Sequence, residues 1–262
     1  VRVNRLQRVL ADLAGKNGRA LVGFIMAAQP DYAAGVECAR VLEDAGCDIL
    51  EIGVPYADPI AVGEVIERAH FRGIAQGMNM SRALEFTSAV EKTCSLPLVM
   101  FSYYNPIYRR GLATFSSELR QAGADAVIIP DLPLEERLRL PPSGLDIIPM
   151  VSPASDQQRV ARLDALAQSF VYCVSVAGVT GAREVLPGVR SYLRRVRGGL
   201  THPMAVGFGI SSPAQVRELR EEAEAFVVGS LLVGIIERYA GDGRRRRESL
   251  ASTVAALKAA MK

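Results

Sequence analysis

Eight short runs of apolar, β-branched residues, separated by segments of helical periodicity, constrain this chain more than any other feature. The runs lie at residues 20–26, 48–52, 97–101, 126–129, 147–151, 170–174, 204–208 and 225–228. Helical spacing of apolar positions falls between them, at 31–45, 80–92, 113–122, 157–167, 189–196 and 212–222. Strands joined through a dozen or more residues of helix pair in parallel, because the connection has to cross the sheet. Eight such units in 262 residues predict a closed (β/α)8 barrel, the TIM-barrel architecture, as one domain over 1–262. The periodic segment 3–13 is placed across the barrel bottom, and a short helix at 231–239 follows the eighth strand.

The charge balance narrows the partners. With 31 basic and 28 acidic residues the net charge is +3, which gives no reason to expect nucleic acid. The one dense basic cluster, Arg244 to Arg247, precedes the last helical segment and reads as a solvated loop or helix start. Cys38, Cys47, Cys94 and Cys173 sit in apolar contexts without CxxC spacing, as reduced core residues do. No signal peptide and no apolar run of membrane-spanning length is present, so the expectation is a soluble, cytoplasmic protein with no membrane partner.

Glu51 is the residue that points to chemistry. It lies inside Asp48-Ile49-Leu50-Glu51-Ile52-Gly53, a run that reads as a core strand. A buried carboxylate without a partner costs several kcal/mol, so the group either pairs or stays protonated with a raised pKa. Both outcomes suit a general acid or base near neutral pH, whereas a strand-end Glu facing water is the bland alternative.

The far end of the chain carries a phosphate pattern. Gly207-Phe208-Gly209-Ile210-Ser211 closes the seventh strand, and Val228-Gly229-Ser230 closes the eighth and opens a short helix. Glycines let backbone N–H groups approach an anion, and a helix N-terminus adds partial positive charge. Gly178-Val179-Thr180-Gly181, after the sixth strand, brings a third set of amides to the same end.

The polar inventory removes several mechanisms. The four lysines, Lys16, Lys92, Lys258 and Lys262, lie outside the strand runs, which argues against a Schiff-base aldolase. The two histidines, His70 in a helical stretch and His202 before Pro203, make no metal cluster, and each reads as a surface or helix-packing residue. No G-x-S-x-G elbow is present. Acid/base work by carboxylates on a phosphorylated small molecule is what remains, with neither metal nor cofactor.

Five segments carry a resemblance. Leu50-Glu51-Ile52-Gly53-Val54-Pro55-Tyr56-Ala57-Asp58-Pro59, Tyr103-Tyr104-Asn105-Pro106-Ile107, Ile129-Pro130-Asp131-Leu132-Pro133, Val174 to Arg183, and Gly207 to Ser211 run in the order of the tryptophan synthase α subunit family. The chain resembles that family across nearly its whole length. The resemblance implies a carbon–carbon lyase that cleaves indole-3-glycerol phosphate to indole and glyceraldehyde 3-phosphate. It also implies a PLP-dependent β subunit as partner, which receives the indole. By the same resemblance Glu51 is the catalytic acid/base. Gly181, Gly209, Gly229 and Ser230 hold the phosphate, and Phe24, Tyr103 and Tyr172 wall the pocket. Pro55 and Asp58 belong to the partner interface.

The chain departs from that family where its second catalytic carboxylate stands. The matching position is Val62, in Ile60-Ala61-Val62-Gly63-Glu64. Valine cannot accept a hydrogen bond from an indole N–H. Glu64, two residues on, is either a substitute or a helix-start residue beside the N-terminal dipole. Ala28-Gln29-Pro30 replaces the family's Gly-Asp-Pro, and Met26 replaces a common threonine. Three readings follow: a lyase that is slow or works through Glu64, a homologue redirected to a related phosphorylated indole, and a non-catalytic partner that activates a β subunit.

Overall fold

The computed structural model describes residues 4–60, 62–174, 188–207 and 209–262. Nine parallel strands form one sheet in the order β5-β4-β3-β2-β1-β9-β8-β7-β6. They are β1 (Ala20–Met26), β2 (Ile49–Gly53), β3 (Leu98–Phe101), β4 (Ala126–Ile128), β5 (Asp146–Ile148), β6 (Met150–Val151), β7 (Val171–Val174), β8 (Met204–Gly207) and β9 (Ala225–Val228). β5 and β6 are two halves of the single run expected at 147–151, divided at Pro149. The first half pairs with β4 and the second with β7. Proline has no N–H to give a ladder, so the strand changes partner there. The Pro149 carbonyl still accepts the Tyr172 N–H at 2.9 Å. The eight expected strands are therefore present and the barrel is nearly closed.

Twelve helices accompany these strands among the described residues: α1 (Arg5–Gly15), α2 (Tyr32–Asp44), α3 (Glu64–Ala75), α4 (Met80–Glu91), α5 (Tyr104–Arg110), α6 (Leu112–Gln121), α7 (Leu134–Arg137), α8 (Gln157–Asp164), α9 (Val189–Arg197), α10 (Pro213–Leu219), α11 (Ser230–Arg238) and α12 (Gly243–Ala259). α5 and α7 lie outside the helical segments read from the sequence, while α3 holds His70 in a helix and starts at Glu64. Arg244 to Arg247 lie inside the first turns of α12, not ahead of it. Arg244 pairs with Glu248 and Arg245 with Asp242. Arg246 is buried, donating to the Tyr239 and Ala240 carbonyls and to Glu37. Each of the four arginines makes an intrachain ion pair.

Side-chain alternation sorts each strand between two cores. In β1, Ala20, Val22, Phe24 and Met26 join the barrel interior, while Leu21 and Ile25 pack under the helices. In β2, Ile49 faces inward and Leu50 and Ile52 outward, so parity sends Glu51 inward. α1 closes the barrel bottom as expected: Leu6 and Leu10 enter the interior cluster. Arg5 clamps the plug by a salt bridge to Asp125 at 2.8 Å, just ahead of β4. The four cysteines are buried free thiols. Among the described residues no helix is long and apolar enough to cross a membrane.

Candidate active site

The C-terminal ends of the strands open into a cavity of about 330 Å³. Phe24, Glu51 and Tyr172 line it from β1, β2 and β7. Gly209, Gly229 and Ser230 line it from the ends of β8 and β9, and Val62 from the β2–α3 loop. Residues as far apart in sequence as Phe24 and Ser230 therefore line one mouth. Gly181 lies outside the described residues.

Glu51 is 2 % exposed, and its Oε2 has no hydrogen-bond partner among the described residues. Its β-ladder neighbours are Phe24 and Val99. Desolvation without a compensating cation raises its pKa from 4.5 to about 8. At neutral pH the group is therefore mostly protonated, a carboxyl able to donate a proton and then to accept one. Two glycines make room for its aromatic neighbours. A Cβ on Gly53 would stand 2.5 Å from Phe24 Cζ, and one on Gly207 would stand 2.0 Å from Tyr172 Oη. Either contact would push a ring out of place.

Another part of the lining comes from the start of a helix. Gly229 is the N-cap of α11 and Ser230 its first residue, so the helix's unpaired N–H groups face the cavity. Gly209 takes φ +88°, a left-handed conformation that favours glycine.

Two of the expected site residues, Tyr103 and Glu64, do not line this cavity. Tyr103 is buried and does not line this cavity. It sits at the N-cap position of α5, and its hydroxyl accepts the Ile60 N–H at 3.1 Å and donates to the Ile60 carbonyl at 3.0 Å. Its ring stacks on Tyr56 with centroids 4.8 Å apart. Tyr103 thus pins the β2–α3 loop two residues before Val62. His70, from α3, holds the same loop by accepting the Tyr56 N–H on Nδ1 at 3.0 Å. Burial pulls its pKa down to about 4, so the ring stays neutral and keeps that lone pair. Tyr103→Phe should lose both Ile60 hydrogen bonds and about 1–3 kcal/mol of stability. Urea denaturation checks that value, and faster proteolysis within residues 54–63 would locate the loss.

Glu64 begins α3, with its side chain 89 % exposed and 4.0 Å from Arg68. Val62, Gly63, Val65 and Ile66 line the cavity around it, but Glu64 does not. The helix-start alternative is the one the structure takes. Of the two loop residues assigned to a partner interface, Asp58 is exposed, whereas Pro55 is buried against Gly73 of α3.

Residues that the sequence reading passed over also line the cavity: Phe101, Val65, Ile66, Ser211 and Val227. Inward parity on β3 and β9 marks Phe101 and Val227. Val65 and Ile66 follow Glu64, and no motif marks which face of that helix meets the cavity. Among the described residues no group of three or more His, Cys, Asp or Glu could hold a metal ion.

The Tryptophan synthase alpha chain family profile matches residues 10–262. The chain belongs to the tryptophan synthase alpha chain family. The tryptophan synthase alpha chain of Syntrophomonas wolfei is 51 % identical over 232 residues, covering 88 % of this chain and 89 % of that one. The crystal structure of tryptophan synthase subunit alpha from Legionella pneumophila superposes with a TM-score of 0.89 at 27 % identity, covering 99 % and 98 % of the two chains. A chain of the Pyrococcus furiosus tryptophan synthase α2β2 complex superposes with a TM-score of 0.82 at 31 % identity, covering 92 % and 98 %. A tryptophan synthase alpha chain fold thus frames Glu51, the helix α11 N-terminus and the aromatic walls.

Proposed function

We propose that this chain is a carbon–carbon lyase that cleaves indole-3-glycerol phosphate to indole and glyceraldehyde 3-phosphate, in the cytoplasm, as the α partner of a PLP-dependent β subunit. The observation that carries the reading is Glu51, a buried carboxyl with a raised pKa in the same cavity as the α11 N-terminus.

The reaction needs one proton placed on indole C3 and one removed from the adjacent glycerol hydroxyl. In this reading the Glu51 carboxyl delivers the first, which turns the ring into an electron sink. The C–C bond then breaks toward that ring, and the Glu51 carboxylate takes the hydroxyl proton as the aldehyde forms. The carboxyl is regenerated and no proton is gained or lost overall. Gly209, Gly229 and Ser230, with Gly181, hold the phosphate, and Phe24 and Tyr172 face the ring and glycerol portions. Asp58 stands on the surface that meets the β subunit, with Pro55 bracing the loop from beneath.

One observation favours a second reading. The cavity wall at Val62 presents no acceptor for the indole N–H, so a slow lyase or a binding partner that stimulates the β subunit also fits. Indole release from indole-3-glycerol phosphate, measured with and without added β subunit, separates them. Slow release that the β subunit accelerates supports the lyase. No release, with stimulated β-subunit turnover, supports the partner reading.

A further inference from the structure

A second cavity opens beside the first and shares Phe101 with it. Its volume is about 440 Å³. It runs from the barrel mouth at Ile60 and Val174 into the layer outside β4 and β5, down to Ile147 and Leu163. The cause lies in the β4–β5 connection. α7 has four residues, the fewest of the described helices, and Pro141 and Pro142 follow soon after. Proline stops a helix from continuing, so the strands here lack the full helical cover their neighbours have.

The walls are apolar apart from a few groups, and most of those are already engaged. Asp131 accepts the Tyr104 N–H at 2.7 Å. Arg159 pairs with Glu135 at 3.0 Å, and the Ser155 hydroxyl accepts the Ser152 N–H at 3.2 Å. Arg137 differs. Its guanidinium is half-buried and makes no hydrogen bond or ion pair with any described residue, although Asp146 lies near enough to attract it. Removing a guanidinium from water without giving it an acceptor is unfavourable, and a bound anion reverses that cost.

We propose that this second cavity is a binding site for a small aromatic carboxylate, with the carboxylate on Arg137 and the ring between the apolar walls. Flat faces suit a ring, and Pro130, Pro133, Pro149 and Phe101 are all among the lining residues. The site is separate from the phosphate end of the first cavity, and the inference does not depend on the lyase reading.

Calorimetric titration with 2-naphthoate and its neutral isostere 2-naphthamide tests it without any turnover. The carboxylate should bind at least about tenfold tighter than the amide, the increment of one charge-assisted hydrogen bond. Arg137→Gln should bring the two ligands level, and Arg137→Lys should restore part of the difference. Leu163→Trp fills part of the cavity with Arg137 intact, and should weaken both ligands. Circular dichroism confirms that each variant folds, and if Arg137→Gln fails to fold the lysine and Leu163 variants still decide. Equal affinity for acid and amide, no binding of either, or a crystal structure with naphthoate seated between Glu51 and Ser230 overturns the proposal.

Discussion

Glu51→Gln will remove indole-3-glycerol phosphate cleavage, lowering kcat by about 10²–10⁴-fold or more, because glutamine keeps the shape and cannot shuttle a proton. The same change will make the fold less sensitive to pH. In the folded protein the Glu51 pKa is raised from 4.5 to about 8, so the native state holds a proton that the unfolded chain releases. The stability tied to this group is fully present below about pH 4.5 and is lost as pH rises toward 8. The whole excursion is worth a few kcal/mol, on the scale of about 1.4 kcal/mol per pKa unit. Glutamine has no such cost, so the variant should gain on the parent in urea denaturation as pH goes from 5 to 8. A variant that turns over at the parent rate, with an unchanged pH profile of stability, would make Glu51 an ordinary core residue.

Val62→Asp will raise the cleavage rate, by as much as about 10²–10⁴-fold if the loop places the new carboxylate beside the indole N–H. The structure favours that placement. Val62 lines the same cavity as Glu51, and Tyr103 pins the backbone two residues earlier. Position 62 also precedes Gly63, an N-cap that offers α3 no side-chain acceptor. An aspartate there gains from the helix dipole and stays ionised, while burial keeps Glu51 protonated. Two carboxyl groups with separated pKa values are what acid/base chemistry on one substrate requires. Glu64→Gln is the control, and its exposure outside the cavity predicts no change in rate. Loss of activity in Glu64→Gln, or a parent enzyme already fast and indifferent to Val62→Asp, would overturn this account of the loop.

The barrel was legible because its signal is local and repeated. Each strand announces itself by a run such as Ala20 to Met26, and no partner is needed to see it. The phosphate end and Glu51 were legible for a related reason: glycines at strand ends and a carboxylate within an apolar run stand out against their neighbours. The division at Pro149 was harder, since it depends on which strands β5 and β6 find on either side. Tyr103 shows the limit most clearly. The resemblance placed it in the pocket wall, yet its hydroxyl is spent on the Ile60 backbone, a pairing set by loop conformation and not by sequence pattern. α3 was legible only in part: His70 read as helical and Glu64 as one of two alternatives, because Pro55, Pro59 and Gly63 just before it are residues of loops.

β1 pairs on one side with β2 and on the other with β9, from Ala20–Ala225 to Gly23–Val228. Lys258 of α12 then fastens the result, donating to the Arg19 carbonyl and to Asp48 at the start of β2. A ribosome makes these partners far apart in time. With roughly 200 residues between them and synthesis at about 5–20 residues per second, the first strand waits roughly 10–40 s for its second neighbour. Throughout that interval β1 offers an open edge of apolar backbone, the kind of edge on which nascent chains aggregate or recruit chaperones. The closure that shelters Glu51 in the finished enzyme is thus also the slowest promise the growing polypeptide has to keep.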